Sequence, residues 1–295
     1  MKIILKTCLF VALMTLSLQV WGADCTSSDI TINSQAEVDA FQMNYGGGGT
    51  CDTVPGTLFV EGDDITDLDG LANLTSVLGS LSIFANPALT NLDGLANLTS
   101  VGEALNIQNN AALTNLNGLA NLSNFSGVLF INFHPVLTNL DGLENLTSVG
   151  FLQISSNPIL TNLDGLANLT NAVALTVESN ATLTNLDAFA KLTSVSGDLY
   201  IYDNAALSSC YGLATILDEI DDAEPGPGTP PIPDVGGSIT LEKNLPGCNS
   251  VAAALTPPFV APVPGLGPLA FILLACLMLL AGIVGVRRQS SVLNL

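Results

Sequence analysis

The sequence predicts a mainly β protein, a right-handed parallel β-solenoid of about eight coils followed by a C-terminal transmembrane helix. Three observations lead there. A string of the form Leu89-Thr-Asn-Leu-Asp-Gly-Leu95 recurs seven times, beginning at Ile65, Leu89, Leu113, Leu137, Leu160, Leu183 and Leu207, with a near-constant period. Between copies lies one short alternating run, such as Ser80-Leu-Ser-Ile-Phe84. Near the end, Leu269–Val286 is uncharged and is closed by Arg287-Arg288.

The chain begins with Lys2 and Lys6 ahead of an apolar run, Thr7 to Leu18, and then Val20-Trp-Gly-Ala23. That run is too short to span a bilayer, and small or moderate residues at Val20 and Gly22 suit signal-peptidase cleavage. Residues 1–22 therefore read as a signal peptide and residues 23–256 as an exported ectodomain. Ser34-Gln-Ala-Glu37 is a capping-box sequence with Val38 and Phe41 on one helical face, which predicts a short amphipathic helix over the first coil.

Within each repeat, positions such as Leu89, Leu92, Leu95, Leu98 and Val101 stand three apart. That spacing suits short extended or 3₁₀ segments rather than an α-helix. The alternating runs, centred on Leu58, Leu81, Leu105, Leu129, Leu152, Leu175, Leu199 and Ile239, read as one strand per coil with the aliphatic side chains inward. A single strand per repeat cannot bury its apolar face alone, so successive coils must stack. Five residues after each strand leucine comes a polar column, Asp63, Asn86, Asn110, His134, Asn157, Asn180, Asn204 and Asn244, placed to hydrogen-bond along the stack. A second column, Asp69, Asp93, Asn117, Asp141, Asp164 and Asp187, suits a turn or helix cap.

The last two strands, centred on Leu199 and Ile239, stand much further apart than the others, so an insertion around Asp218–Asp234 reads as an exposed loop. Residues 257–268 read as a Pro-rich linker, 269–286 as a membrane helix and 287–295 as a basic cytoplasmic tail. Eighteen residues at about 1.5 Å each span roughly 27 Å, near the hydrocarbon thickness of a bilayer. Cys8 falls in the signal and Cys276 in the membrane run, which leaves Cys25, Cys51, Cys210 and Cys248 outside. Four cysteines allow three connectivities; their places at the two ends of the repeat array favour Cys25–Cys51 and Cys210–Cys248.

Charge narrows the function. All 26 acidic residues lie between Asp24 and Glu242, where the only bases are Lys191 and Lys243, and the whole chain carries −20. Nucleic-acid affinity rests on Lys and Arg contacts to phosphate, so nucleic acid is excluded as a partner. Ser/His/Asp catalysis needs a base, and the only histidine, His134, occupies the polar column. Zinc lacks a ligand cluster, and Gly46–Gly49 lacks the lysine and helix of a phosphate loop. A carboxylate pair for glycoside hydrolysis remains the rival reading, a polysaccharide-active enzyme on a parallel β-solenoid.

No resident cofactor is expected. Calcium is weighed at Asp63, Asp64, Asp67 and Asp69, and at Asp218, Glu219, Asp221, Asp222 and Glu224, against a merely solvated acidic surface. The candidate ligand face is the outward side of the strands, where parity places Phe59, Phe84, Phe130, Glu178, Tyr200 and Tyr202 among Asn106, Gln108, Asn132, Gln153 and Thr176. Exposed aromatics with amides suit a sugar or a protein partner; ordinary cross-strand packing is the competing reading. Asn73, Asn97, Asn121, Asn145, Asn168 and Asn180 lie in Asn-x-Ser/Thr, which the repeat register itself accounts for.

The stretch Ile30-Thr-Ile-Asn-Ser-Gln-Ala-Glu-Val-Asp-Ala40, Cys51 and Val54-Pro-Gly-Thr-Leu-Phe-Val60 resembles the opening of receptor L-domain-like leucine-rich solenoids. The repeated Leu-Asp-Gly-Leu-Ala-Asn-Leu-Thr-Ser-Val and Leu-x-Ile-x-x-Asn strings extend the resemblance over roughly residues 24–248. It implies an extracellular recognition or structural module rather than a catalyst. The C-terminus is similar to the tripartite sorting tails of Gram-negative bacteria. Val263-Pro264-Gly265-Leu266 corresponds to the Ile-Pro-Thr-Leu motif, with Gly265 in place of threonine, ahead of the helix and Arg287-Arg288. That resemblance implies a sorting transpeptidase as a partner and the bacterial cell envelope or surface as the location. The expected protein is an adhesin, matrix component or receptor-like module that binds an extracellular protein or glycan and meets the membrane through 269–286.

Overall fold

The computed structural model describes residues 23–123, 125–221 and 235–255. Its strands, in chain order, are β1 (Ala23–Asp24), β2 (Ile30–Ile32), β3 (Cys51–Val54), β4 (Leu58–Val60), β5 (Ser76–Val77), β6 (Leu81–Phe84), β7 (Ser100–Val101) and β8 (Ala104–Gln108). They continue with β9 (Val128–Asn132), β10 (Ser148–Ser155), β11 (Asn171–Glu178), β12 (Ser194–Val195), β13 (Leu199–Tyr202) and β14 (Ile239–Glu242). The chain is mainly β. A ten-stranded parallel sheet runs β14-β13-β11-β10-β9-β8-β6-β4-β2, with β12 pairing to β11 off that line, and a second parallel sheet runs β1-β3-β5-β7.

The register follows the repeat. Leu81 pairs with Leu105, Leu105 with Leu129, Leu129 with Leu152, Leu152 with Leu175 and Leu175 with Leu199. Leu199 then pairs with Ile239 across the longer interval, so the insertion does not break the pairing. Alternation along each strand sends Leu105 and Ile107, and their equivalents in every repeat, into one continuous core from Cys25 to Ala254. The leucines spaced by three join the same core: Leu89, Leu92, Leu95 and Leu98 are all fully buried. Between them the chain makes a 3₁₀ turn, as at Asp69–Leu71, Asp93–Leu95, Asn117–Leu119 and Asp164–Leu166. Glycine at the second position of this turn is required by a close approach: a Cβ at Gly118 would run into the Leu92 carbonyl of the preceding repeat.

The polar column is the least ordinary part of this core. Asn86, Asn110, His134, Asn157, Asn180 and Asn204 are fully buried. Asn157 donates its backbone N–H to Asn180 Oδ1 at 3.1 Å and its Nδ2 to the Ile131 carbonyl at 2.9 Å, while its own Oδ1 accepts from the His134 backbone N–H at 3.1 Å. Asn180 and Asn204 repeat the pattern one strand further on, and Asn244 ends it by donating to Asn249 Oδ1 and the Cys248 carbonyl. The residue just before each member, namely Ala85, Asn109, Phe133, Ser156, Ser179, Asp203 and Lys243, has φ between 54° and 64°. Seven side-chain-bearing residues thus occupy the left-handed region so that the following amide can turn inward.

Three expectations are corrected. Asp63 is exposed and outside the column; the Gly62 backbone N–H takes that place and donates to Asn86 Oδ1 at 2.9 Å, because this repeat is one residue shorter between strand and turn. Of the turn or cap expected at Asp69, Asp93 and their equivalents, the turn is what forms: Asp69, Asp93, Asn117 and Asp164 each open a 3₁₀ turn without capping it. The capping acceptors stand two residues earlier: Asp67, Asn91, Asn115, Asn139, Asn162 and Asn185 each take the backbone N–H at 3.0 to 3.2 Å. An additional strand, Ile30–Ile32, begins the sheet.

Both ends are stapled. Cys25 is bonded to Cys51 and Cys210 to Cys248, with Cα atoms 4.7 and 5.2 Å apart. At the first end, Ser34 Oγ accepts from the Glu37 N–H at 3.3 Å and caps a helix over Gln35–Asp39; a second helix, Phe41–Tyr45, follows, and Val38 and Phe41 are fully buried. At the other end, a helix over Ala214–Asp221 places Ile216 and Leu217 in the core. Of the exposed loop expected around Asp218–Asp234, Asp218–Asp221 instead end this helix; 222–234 lie outside the described residues, as do the signal 1–22, the linker 257–268, the membrane run 269–286 and the tail 287–295. Among the described residues no helix is long and apolar enough to cross a membrane.

Replacing Asn157 by Ala leaves the Ile131 carbonyl and the His134 N–H buried without partners. Each such group costs about 1–3 kcal/mol. Denaturant unfolding of Asn157→Ala is expected to show a loss of about 3 kcal/mol or more, whereas Asn91→Ala, at an exposed turn cap, loses about 1 kcal/mol.

Candidate functional site

The outward side of the ten-stranded sheet is organised in rows, because the pairing register sets equivalent residues of neighbouring repeats side by side. One row runs Phe59, Ser82, Asn106, Phe130, Gln153, Thr176, Tyr200 and Thr240. Phe59 is 46% exposed, and Phe84, Phe130, Glu178, Tyr200 and Tyr202 are half-buried, so all six expected residues are reachable from solvent. Asn132, expected outward with them, is buried: its Oδ1 accepts both the backbone N–H and the hydroxyl of Ser155.

These residues do not form one site. Phe59 on β4 is six strand spacings from Tyr200 on β13, roughly 29 Å at about 4.8 Å per strand. The aromatic side chains concentrate instead at the C-terminal half of the sheet. Phe130 meets Phe151 edge to face, with centroids 5.7 Å apart and planes at 76°. Tyr200 and Tyr202 stack at 5.4 Å and 22°, and Lys243 Nζ lies 4.5 Å from the Tyr202 ring centroid. Between the two groups is a shallow cavity of about 400 Å³, walled by Phe151 and Tyr200, floored by Ala174 and Thr176, and edged by Asp198, Ser238 and Thr240.

Phe151 is the functional candidate that the sequence pattern missed. It lies one residue before the strand leucine, in a position that counts as outward only because β10 is eight residues long and begins at Ser148. Asp198 occupies the same row on the strand beyond β11; its Oδ1 accepts the Ser238 backbone N–H at 2.7 Å. Tyr200 stays a phenol at neutral pH: desolvation first, then Glu178, Tyr202 and Glu242, raise its pKa above 10.0.

The other candidates are engaged elsewhere. His134 is fully buried, with Nε2 3.0 Å from the Ile107 carbonyl and Nδ1 3.3 Å from the Asn110 carbonyl, so no substrate reaches it as a base. A neutral ring can donate to only one of these two carbonyls at a time. Burial lowers its pKa below 6.5, against the opposing pull of those two carbonyls. Asp64 Oδ1 accepts from the Gln35 N–H, and Asp67 takes Gln35 Nε2, the Asp69 N–H and the Thr66 hydroxyl. Among the described residues no three His, Cys, Asp or Glu side chains converge on a metal position. The side chains of Asp218, Glu219 and Asp221, and all of Asp222 and Glu224, lie outside the described residues, as do the sorting residues Val263, Pro264, Leu266, Arg287 and Arg288. Asn97, Asn121, Asn145 and Asn168 use Nδ2 to hold the carbonyls of Ala72, Ala96, Ala120 and Glu144 in the preceding repeat, a structural ladder on the surface.

Comparison with protein-family models, with curated proteins and with solved structures finds no match to this chain. The site therefore rests on its own geometry.

The lowered pKa of His134 carries a pH signature. The unfolded chain binds the imidazole proton first as pH falls, so the contribution is fully present above pH 6.5 and is lost as pH drops through 6.5 toward the folded value. His134→Asn restores the amide that neighbouring repeats carry. Thermal melts between pH 7.5 and 5.5 are expected to show a smaller loss of Tm on acidification for His134→Asn than for the native chain.

Proposed function

We propose that the chain is a non-enzymatic, exported cell-surface binding protein whose ectodomain is a right-handed parallel solenoid of the receptor L-domain-like type. The observation that carries this reading is the concentration of Phe130, Phe151, Tyr200 and Tyr202 around one cavity on an open sheet face. Elsewhere the repeat commits its recurrent polar side chains to holding itself together. The asparagine column, the Asn97-type ladder and the turn caps all engage their amides with backbone groups. The outward rows are the part of each repeat that stacking leaves free to vary. Two disulfides fit an oxidising compartment, in keeping with a signal peptide over 1–22.

Delivery follows from the termini in this reading. Residues 269–286 hold the ectodomain at the bacterial envelope until a transpeptidase acts at Val263-Pro264-Gly265-Leu266, with Arg287-Arg288 on the cytoplasmic side. The bound partner is an extracellular protein or glycan.

Two measurements test these statements. Saturable binding of the full chain to the intact surface of its own cells is expected to weaken at least about tenfold in the Phe151→Ala/Tyr200→Ala double variant, since aromatic anchors dominate such contacts. Phe59→Ala, far along the same face, is expected to leave it unchanged; equal loss in both variants would sink the assignment of the site. Intact-mass analysis of the protein from native cells is expected to give a C-terminus near Pro264, whereas retention of Leu295 would leave a membrane-tethered ectodomain.

A further inference from the structure

We infer that the trough between Phe151 and Tyr200 receives a lysine side chain of a partner protein, its alkyl stem between the two rings and its ammonium on Asp198. The inference rests on the binding-face reading above and names the chemistry of what that face takes.

The cavity of about 400 Å³ has room for one extended side chain and for the backbone that carries it. Phe151 on β10 and Tyr200 on β13 are two strand spacings apart across the sheet and two residues apart along it, about 12 Å in all. The strand between them presents only Ala174 and Thr176, so nothing bulky rises from the floor. The walls offer apolar surface to methylenes, as lysine stems use elsewhere. At the edge stands Asp198, whose Oδ1 is held by the Ser238 N–H while its other oxygen has no hydrogen-bond partner. Among the described residues no carboxylate, Asp198 included, forms an ion pair.

Charge selects the class of ligand. Glu178 and Glu242 lie close enough to Tyr200 to raise its pKa, against the smaller opposing pull of Lys243, and with Asp198 they outnumber that one cation around the trough. An anion is repelled. A neutral ligand covering the trough strips water from Asp198 and returns no charge, which is costly for a carboxylate. A cation answers both. The same aromatic group already carries one: Lys243 Nζ sits over Tyr202, showing that an ammonium is accepted on these ring faces. Lysine is favoured over arginine because the Ser238 N–H already approaches one Asp198 oxygen, which crowds the side-by-side approach of a planar fork to both oxygens but leaves the other oxygen open to a point-like ammonium. Phe130 and Tyr202 flank the trough on the same sheet face, giving the wider contact that a protein, rather than a free amine, makes.

The test is calorimetric titration of the full chain with three acetylated and amidated pentapeptides, Gly-Gly-Lys-Gly-Gly, the same with Nε-acetyl-lysine, and the same with arginine, and with a neutral glucose hexasaccharide. The lysine peptide is expected to bind at one site, at least about tenfold tighter than its acetylated form and tighter than the arginine form, with affinity falling as salt rises. Asp198→Asn keeps an oxygen for the Ser238 N–H and is expected to abolish the preference for lysine over acetyl-lysine; Tyr200→Leu, away from that hydrogen bond, is expected to weaken the lysine peptide by a similar factor. Melting curves establish that each variant is folded. Equal binding of the charged and acetylated peptides overturns the inference, as does a lysine affinity that survives both substitutions, which would mark diffuse attraction to an acidic surface. Saturation by the hexasaccharide in place of the lysine peptide also overturns it. If the peptides show no discrimination while Phe151→Ala/Tyr200→Ala still loses surface binding, the lysine assignment falls and the binding face stands. If that double variant also binds normally, both fall.

Discussion

An asparagine side chain can accept and donate along the same line, and the interior of this protein is built on that property. Along the column each Oδ1 takes a backbone N–H of the preceding repeat, from glycine at Asn86 and from an asparagine or the histidine beyond it, while Nδ2 reaches back to a strand carbonyl, as in the Asn157–Ile131 and Asn180–Ile154 bonds. A chain that turns once in every repeat must bury turn backbone where water cannot reach it. Unpaired, those groups would cost more than the leucines around them return. The column pairs them with the next repeat instead, so the solution works only if repeats are stacked in register. Seven residues held at positive φ are the local cost of aiming the amides inward.

Register in the column fixes register on the sheet, and register on the sheet decides what the outer face can be. Because Leu152, Leu175 and Leu199 are locked side by side, Phe151 pairs with Ala174, and Asp198, just ahead of β13, is held beside them by its carbonyl, which accepts the Leu175 N–H at 3.0 Å. A trough arises wherever one repeat carries small residues between two that carry aromatic ones. No loop has to be positioned and no helix has to move. The face is composed one residue per repeat, on a backbone whose geometry the asparagines have already settled. The backbone under that face is therefore set by strand pairing rather than by loops.

The repeat period, the inward aliphatic positions, the buried asparagines and both disulfides are legible in the residues, since each is a same-residue, same-spacing signal. What escapes is whatever depends on the neighbour rather than on the column. Asp63 keeps the count from its strand leucine but not the count to Ile65, and a turn one residue shorter hands its role to the Gly62 backbone. Aspartate before glycine favours turns, which points to Asp93 and its equivalents as caps of the 3₁₀ turns. Yet Asn91 is the residue whose side-chain oxygen lies within reach of the free N–H. Ile30–Ile32 carries too little alternation to read as a strand until the first full repeat pairs with it. Strand length hides Phe151: parity says which way a residue points, but only the structure says how far the strand extends.

Electrostatics complete the division of labour between scaffold and site. Residues 24–243 hold 26 acids and two lysines, and Lys191 is occupied with Asn168 while Lys243 lies over Tyr202. With no ion pairs among the described residues, the acidic side chains act locally only as hydrogen-bond acceptors, as Asp67 and Asp198 do; their net charge acts at a distance, keeping copies of the chain apart and drawing cations to the whole surface. Such a field raises encounter rates but cannot discriminate among cations. Discrimination has to come from a place where charge, apolar surface and limited width coincide, and on the sheet face Phe151, Ala174, Asp198 and Tyr200 are where the three meet.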